Sequence, residues 1–135
     1  MILKWALALL AVLGGFLLAG ISGSLLTEFA GFWDLPGAGF SAAFAVVVVA
    51  YLAAPSHKLL ISVIALVLGA VAAWFVLEPS FYPESYGERG AYLPTHLPII
   101  ATYIGGILGL IVAAALRRWT GPNNSFKPKP LRGSA

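Results

Sequence analysis

Long uncharged stretches separate the charged residues of this chain. Four stretches contain no Asp, Glu, Lys or Arg: Trp5–Leu26, Leu35–Ala54, Leu59–Leu77 and Leu97–Leu116. Each is close to the ~20 apolar residues that a helix needs to cross the hydrocarbon core of a bilayer. The pattern therefore predicts an all-α fold, a four-helix transmembrane bundle with spans at about 5–26, 35–54, 59–77 and 97–116.

Two of these stretches have an alternative interpretation. The run Val46–Val49 in the second stretch is typical of a buried strand in a soluble protein. In lipid an open strand would leave its backbone amides unpaired, so a helix is predicted here as well. The first stretch is longer than the ~7–15-residue apolar core of a signal peptide, so we expect a retained helix.

Asp34, Ser56 and Thr95 are candidate N-terminal caps of the second, third and fourth helices.

The composition points to a membrane in the same way. Hydrophobic residues make up 60% of the chain and charged residues 10%, whereas ordinary soluble domains are about 25% charged. So few charges cannot cover a water-facing surface, and the lipid bilayer is the expected partner. The chain has no cysteine, which excludes disulfides, thiolate nucleophiles and thiolate metal ligands.

The basic and acidic residues fall on opposite sides of the predicted spans. All five acids and Arg89 lie between the first and second or the third and fourth spans. Because cytoplasmic loops carry the excess of Lys and Arg, both termini are predicted to be cytoplasmic (N-in/C-in). This also accounts for the net charge of +3 without a nucleic-acid partner. The other seven basic residues are Lys4, Lys58, Arg117, Arg118, Lys127, Lys129 and Arg132.

Small residues recur at fourfold spacing in three spans and so share one helix face. Helices in lipid associate where small residues allow close approach. We therefore predict that these faces form helix contacts, either within one chain or in a homo-oligomer or a complex with another membrane protein. The helix-packing residues predicted in this way are Gly15, Ala19, Gly23, Gly69, Gly105 and Gly109.

Few polar groups inside the spans are candidates for ligand binding. No ionisable Asp, Glu, Lys, Arg or His lies within any span, although such residues usually mark proton or ion pathways. Tyr103 lies beyond the first turn of the fourth span and its hydroxyl needs a partner there. The segment between the third and fourth spans is long and aromatic, and we expect it to cap the bundle. The candidate ligand-binding residues are Tyr103, Thr102, Tyr82, Tyr86, Tyr92 and Arg89.

Metal and cofactor chemistry have little support in the sequence. Glu78, Glu84, Glu88 and His96 are weak candidate metal ligands, but their spacing matches no recognised ligand motif. No catalytic motif is present, so no catalytic residue, metal or cofactor is predicted.

In length and helix number the chain is similar to the small multidrug resistance exporters. Those proteins depend on a membrane-embedded glutamate in the first helix, and here the first acid is Glu28, so their function is not carried over.

The chain divides at about residue 120 into a transmembrane domain (1–120) and a tail (121–135) that we expect to be flexible and cytoplasmic. The tail sequence NNSFKPKPLRGSA, from Asn123 to Ala135, resembles the read-through tails of bacterial integron gene cassettes. This resemblance implies a bacterial source and a mobile accessory gene. It carries no implication about mechanism.

Three function classes remain after these exclusions. The small-residue faces and the lack of buried charges favour a structural, accessory or interaction protein of the bacterial inner membrane. The alternative is a small transporter, channel or exporter of an uncharged or lipophilic compound, with a cavity near Tyr103 and Thr102. A membrane enzyme that uses the carboxylates between the third and fourth spans is the least favoured class, since transport or catalysis rarely proceeds without charged or metal groups.

Overall fold

A computed structural model of the chain describes residues 1–78, 80–81, 94–121 and 133. Four helices, each long and apolar enough to cross a membrane, confirm the predicted all-α transmembrane fold. The two short strands pair in antiparallel register, Ser80 with Thr95 and Phe81 with Pro94. In chain order the elements are α1 (Ile2–Phe29), α2 (Asp34–Ala53), α3 (Lys58–Leu77), β1 (Ser80–Phe81), β2 (Pro94–Thr95) and α4 (Leu97–Thr120).

The helices alternate in direction along the chain, so like charges collect at each end of the bundle. Lys4 near the start of α1, Lys58 at the start of α3 and Arg117 in the last turn of α4 define the basic end. Glu28 in the last turn of α1 and Glu78 just after α3 belong to the opposite, acidic end. The two strands join α3 to α4 at that acidic end.

Helix α1 packs along one side of α2 through its small residues. A Cβ on Gly23 would lie 2.6 Å from the carbonyl oxygen of Gly37, so the two backbones are in close contact. The Ser41 hydroxyl, on α2, donates a hydrogen bond to the carbonyl of Ala19 at 2.7 Å. Nearer the basic end, the Cβ position of Gly15 meets the Val49 side chain at 3.0 Å. The predicted packing face of α1 thus lies against α2.

Helix α4 packs on a different side of α2 and runs parallel to it. A Cβ on Gly105 would overlap the carbonyl oxygen of Phe40, and one on Gly109 would lie 2.9 Å from that of Phe44. One turn further on, Ala113 is fully buried. The close approach of α4 to the α2 backbone therefore depends on glycine, and the glycine pair is used inside one chain.

The large side chains lie on the outside of the bundle, and the core is built from small ones. Ala42, Ala50 and Ala113 are buried, while Leu68 is 65% exposed and Phe75 is 79% exposed. In water this would be a large exposed apolar surface. Around four spanning helices it is the surface that lipid tails cover, since tails are as apolar as leucine.

The predictions for Asp34 and Ser56 as helix caps are wrong. Trp33 is the N-cap of α2, and Asp34 follows it in the first turn, where a carboxylate still faces the positive end of the helix dipole. His57, rather than Ser56, is the N-cap of α3. His96, rather than Thr95, is the N-cap of α4, although the Thr95 Oγ1 accepts a hydrogen bond from the first amide of the helix at 3.2 Å.

Candidate functional site

Helix α3 packs less closely than α1 and α4 do, and it leaves a cavity of about 320 Å³ against α2 and α4. The cavity is partly open. Its lining is almost wholly alanine, glycine, valine and leucine, joined by one side chain of α1, Phe16. The lining residues from the three helices are Leu35, Ala38, Gly39, Ala42, Ala43, Val46 and Val47 of α2, Ala65, Leu66, Gly69, Ala70, Ala72, Ala73, Val76 and Leu77 of α3, and Thr102, Tyr103 and Gly106 of α4.

The cavity exists because small residues face one another across it without meeting. The predicted packing role of Gly69 differs from what the structure shows: a Cβ added there would find nothing within 4 Å. On α4, by contrast, a Cβ on Gly106 would lie 2.6 Å from the Leu66 side chain. Helix α3 thus contacts α4 through the Leu66 side chain and borders open space at Gly69.

Two hydroxyl groups are the polar side-chain groups of the lining. Tyr103 reaches across from α4 and donates a hydrogen bond to the carbonyl of Ala70 on α3 at 3.1 Å. Thr102 donates to the carbonyl of Pro98 on its own helix at 2.7 Å. Thr102 is buried, whereas Tyr103 is partly exposed. Both candidate residues named from the spans therefore lie in the cavity, with their hydrogens already engaged by backbone carbonyls.

Towards the basic end, close packing ends the cavity. Ser62 is fully buried and donates a hydrogen bond to the carbonyl of Val47 at 2.9 Å. Val47 itself is 1% exposed, and Ala50, one turn further along α2, is 3% exposed. The cavity therefore lies towards the acidic end of the bundle and does not reach the basic end.

At the acidic end, a His–Glu pair joins the end of α3 to the start of α4. Nδ1 of His96 contacts Oε1 of Glu78, and the second carboxylate oxygen of Glu78 is buried without a hydrogen-bond partner among the described residues. These are two of the four weak metal candidates. Glu84 and Glu88 lie outside the described residues, and within the described ranges no group of three potential ligands comes together.

The aromatic segment before α4 cannot be placed relative to the cavity. Tyr82, Tyr86, Arg89 and Tyr92 all fall in residues 82–93, outside the described part of the chain. Their predicted ligand-binding role stays a prediction. Among the described residues, sequence reasoning missed Leu66 and Ala70, because nothing in a run of apolar residues distinguishes a side chain that lines a cavity from one that faces lipid.

Comparison with known proteins gives no match: no protein-family model, no curated protein and no solved structure matches the chain. Function must therefore be inferred from the geometry and chemistry of the residues themselves.

Proposed function

We propose that this chain is a small accessory protein of a bacterial cytoplasmic membrane, with both termini in the cytoplasm, that holds an uncharged lipophilic molecule between α2, α3 and α4. The observation that carries the proposal is the apolar cavity of about 320 Å³ among helices able to span a bilayer. Its volume lies at the lower end of the ~300–1,000 Å³ typical of small-molecule sites.

The chemistry of the lining supports an uncharged occupant. The described lining contains no ionisable acid, base or imidazole, and a charge placed among these helices would lose its hydration without gaining a partner. An apolar molecule has no such cost, and it reaches the open part of the cavity directly from the surrounding lipid. Apolar cavities of this kind stay dry and take apolar guests.

The geometry favours binding over transport. A transport path must continue through the whole membrane, whereas the cavity stops where Ser62, Val47 and Ala50 pack together. Transport of the bound compound is the second candidate function, and it requires α3 to separate from α2 at the Ser62–Val47 hydrogen bond. A cavity that is closed towards the basic end is the arrangement expected of a protein that holds or presents a lipophilic molecule.

A cavity-filling substitution tests the proposal. Gly69→Leu should abolish labelling of α3 by a photoreactive lipophilic probe, because the leucine side chain would occupy the open space beside Gly69. Gly14→Leu is the matched control: a Cβ on Gly14 also meets nothing within 4 Å, but Gly14 lies on α1 outside the lining. The measurement is mass-spectrometric mapping of the labelled peptides from protein reconstituted in lipid.

The expected pattern is strong labelling of lining residues in the unmodified protein and in Gly14→Leu, and loss of that labelling in Gly69→Leu. Equal labelling of the cavity face and the lipid-exposed face of α3, unaffected by Gly69→Leu, would mean that the cavity holds nothing but bulk lipid. That result would remove the proposed function.

A further inference from the structure

The shape of the cavity limits its occupant to a single chain. On α2 the lining extends from Leu35 to Val47, and on α3 from Ala65 to Leu77. Twelve residues of helix rise span about 18 Å. A cylinder of that length and of helix width would fill roughly 1,400 Å³, several times the cavity volume of about 320 Å³. A helix with its side chains is ~10–12 Å across, so a partner helix does not fit and one extended hydrocarbon chain does.

Among the described lining residues, the hydrogen bonds leave acceptors but no free side-chain donors. A backbone carbonyl can only accept, so the hydroxyl hydrogens of Tyr103 and Thr102 are already donated to the carbonyls of Ala70 and Pro98. Each hydroxyl oxygen keeps lone pairs that can accept a further hydrogen bond. The Thr102 oxygen is packed against Gly39, where an added Cβ would overlap it. Tyr103, which is half-buried, therefore offers the accessible acceptor.

The position of Tyr103 makes the cavity selective for ligands with a hydroxyl group over ligands with a carbonyl or ether oxygen. It lies six residues into α4, about 9 Å along the axis from the helix start. At that depth a ligand carbonyl or ether oxygen that needs a donor finds none among the side chains of the described lining. A ligand hydroxyl finds the Tyr103 oxygen, and an unpaired polar group in an apolar site is disfavoured.

We propose that the molecule held in the cavity is an uncharged, single-chain lipid whose polar group within the cavity is a hydroxyl, and that this hydroxyl donates a hydrogen bond to the Tyr103 oxygen. This inference rests on the proposed function and names the ligand class of the same site. It assigns to Tyr103 a role in ligand selection in addition to its contact with Ala70.

The test compares two photoreactive probes of one skeleton, a long-chain alcohol and its methyl ether, on the full chain reconstituted in lipid. The concentration for half-maximal labelling of the cavity residues is measured for each probe. A single neutral hydrogen bond contributes ~0.5–1.5 kcal/mol, so the alcohol should be preferred on the order of fivefold. In Tyr103→Phe, which keeps the ring and removes the acceptor, the preference should vanish.

Tyr51→Phe serves as the matched control, because Tyr51 lies outside the lining, towards the basic end of α2. Its preference for the alcohol should equal that of the unmodified protein. The readout is a ratio of two probes on one variant, so a partial loss of stability in Tyr103→Phe affects both probes alike.

Equal labelling by alcohol and ether in the unmodified protein, blocked by Gly69→Leu, would overturn this inference and leave the proposed function standing. Persistence of the preference in Tyr103→Phe would overturn it as well. Labelling by neither probe would remove both proposals together. Crosslinks between two copies of the chain through the cavity residues would show that the occupant is protein, which also contradicts the inference.

Discussion

At the turn between α2 and α3, the exposed residue His57 adopts a left-handed backbone conformation, with φ of 49° and ψ of 42°. This conformation costs a non-glycine residue about 1–2 kcal/mol, and glycine adopts it freely. Glycine also loses more conformational entropy on folding, which offsets ~0.5–1 kcal/mol of the strain that it relieves.

We therefore expect His57→Gly to raise the free energy of unfolding by about 0.5–1 kcal/mol, measured by thermal unfolding in detergent micelles. His57→Val should lower it, because a β-branched residue tolerates a positive φ poorly. If glycine were no better than histidine and valine no worse, the turn would not have this strained conformation.

At the scale of single residues, the sequence predicts that the Tyr103 hydroxyl needs a hydrogen-bond partner, but it does not predict that Gly69 borders open space. A tyrosine hydroxyl inside an apolar helix must find an acceptor wherever the fold provides one, so its importance is visible without knowing the partner, Ala70. The role of a glycine depends wholly on what lies opposite. Fourfold spacing shows which small residues share a face, but it does not show whether that face meets a helix or a cavity.

Among the elements, α2 is the helix against which both α1 and α4 pack. Its contact with α4 requires that Gly105 has no side chain. Gly105→Ala should lower the free energy of unfolding by about 1–3 kcal/mol, because the new methyl group would overlap the Phe40 carbonyl and push α4 outwards. Gly14→Ala, where a Cβ meets nothing within 4 Å, should cause no loss. Thermal unfolding of both variants in detergent gives the comparison, and equal effects would contradict the close α2–α4 contact.

The helices themselves follow from the sequence more completely than their ends do. Uncharged runs place all four spans, yet α1 extends over Ile2–Phe29 and α4 reaches Thr120. The helices include Lys4, Glu28 and Arg117 because backbone hydrogen bonding continues into the membrane interface, where long charged side chains reach water. A rule that stops a span at the first charge therefore shortens the helix.

For the whole molecule, the separation of charge between the two ends predicts its orientation in the membrane. Because the chain has no cysteine, a single introduced cysteine is a unique label. A cysteine in place of Ser85 should react with an impermeant thiol reagent added outside intact cells, and one in place of Ser56 should not. Both should react after the membrane is permeabilised, which confirms that each thiol is reactive. The reverse pattern in intact cells would contradict the proposed orientation.

The parallel contact between α2 and α4 also has a consequence for the order of events during biosynthesis. Helices α1 and α2 are neighbours along the chain and can pair as soon as both have left the ribosome. The α2 surface around Phe40 and Phe44 must wait for its partners on α4, Gly105 and Gly109, which follow about 65 residues later. At ~5–20 residues per second, that surface faces lipid or the insertion machinery for several seconds before its partner arrives. In a nascent chain arrested after α3, this α2 surface would stay uncovered, and the membrane quality-control machinery could recognise it.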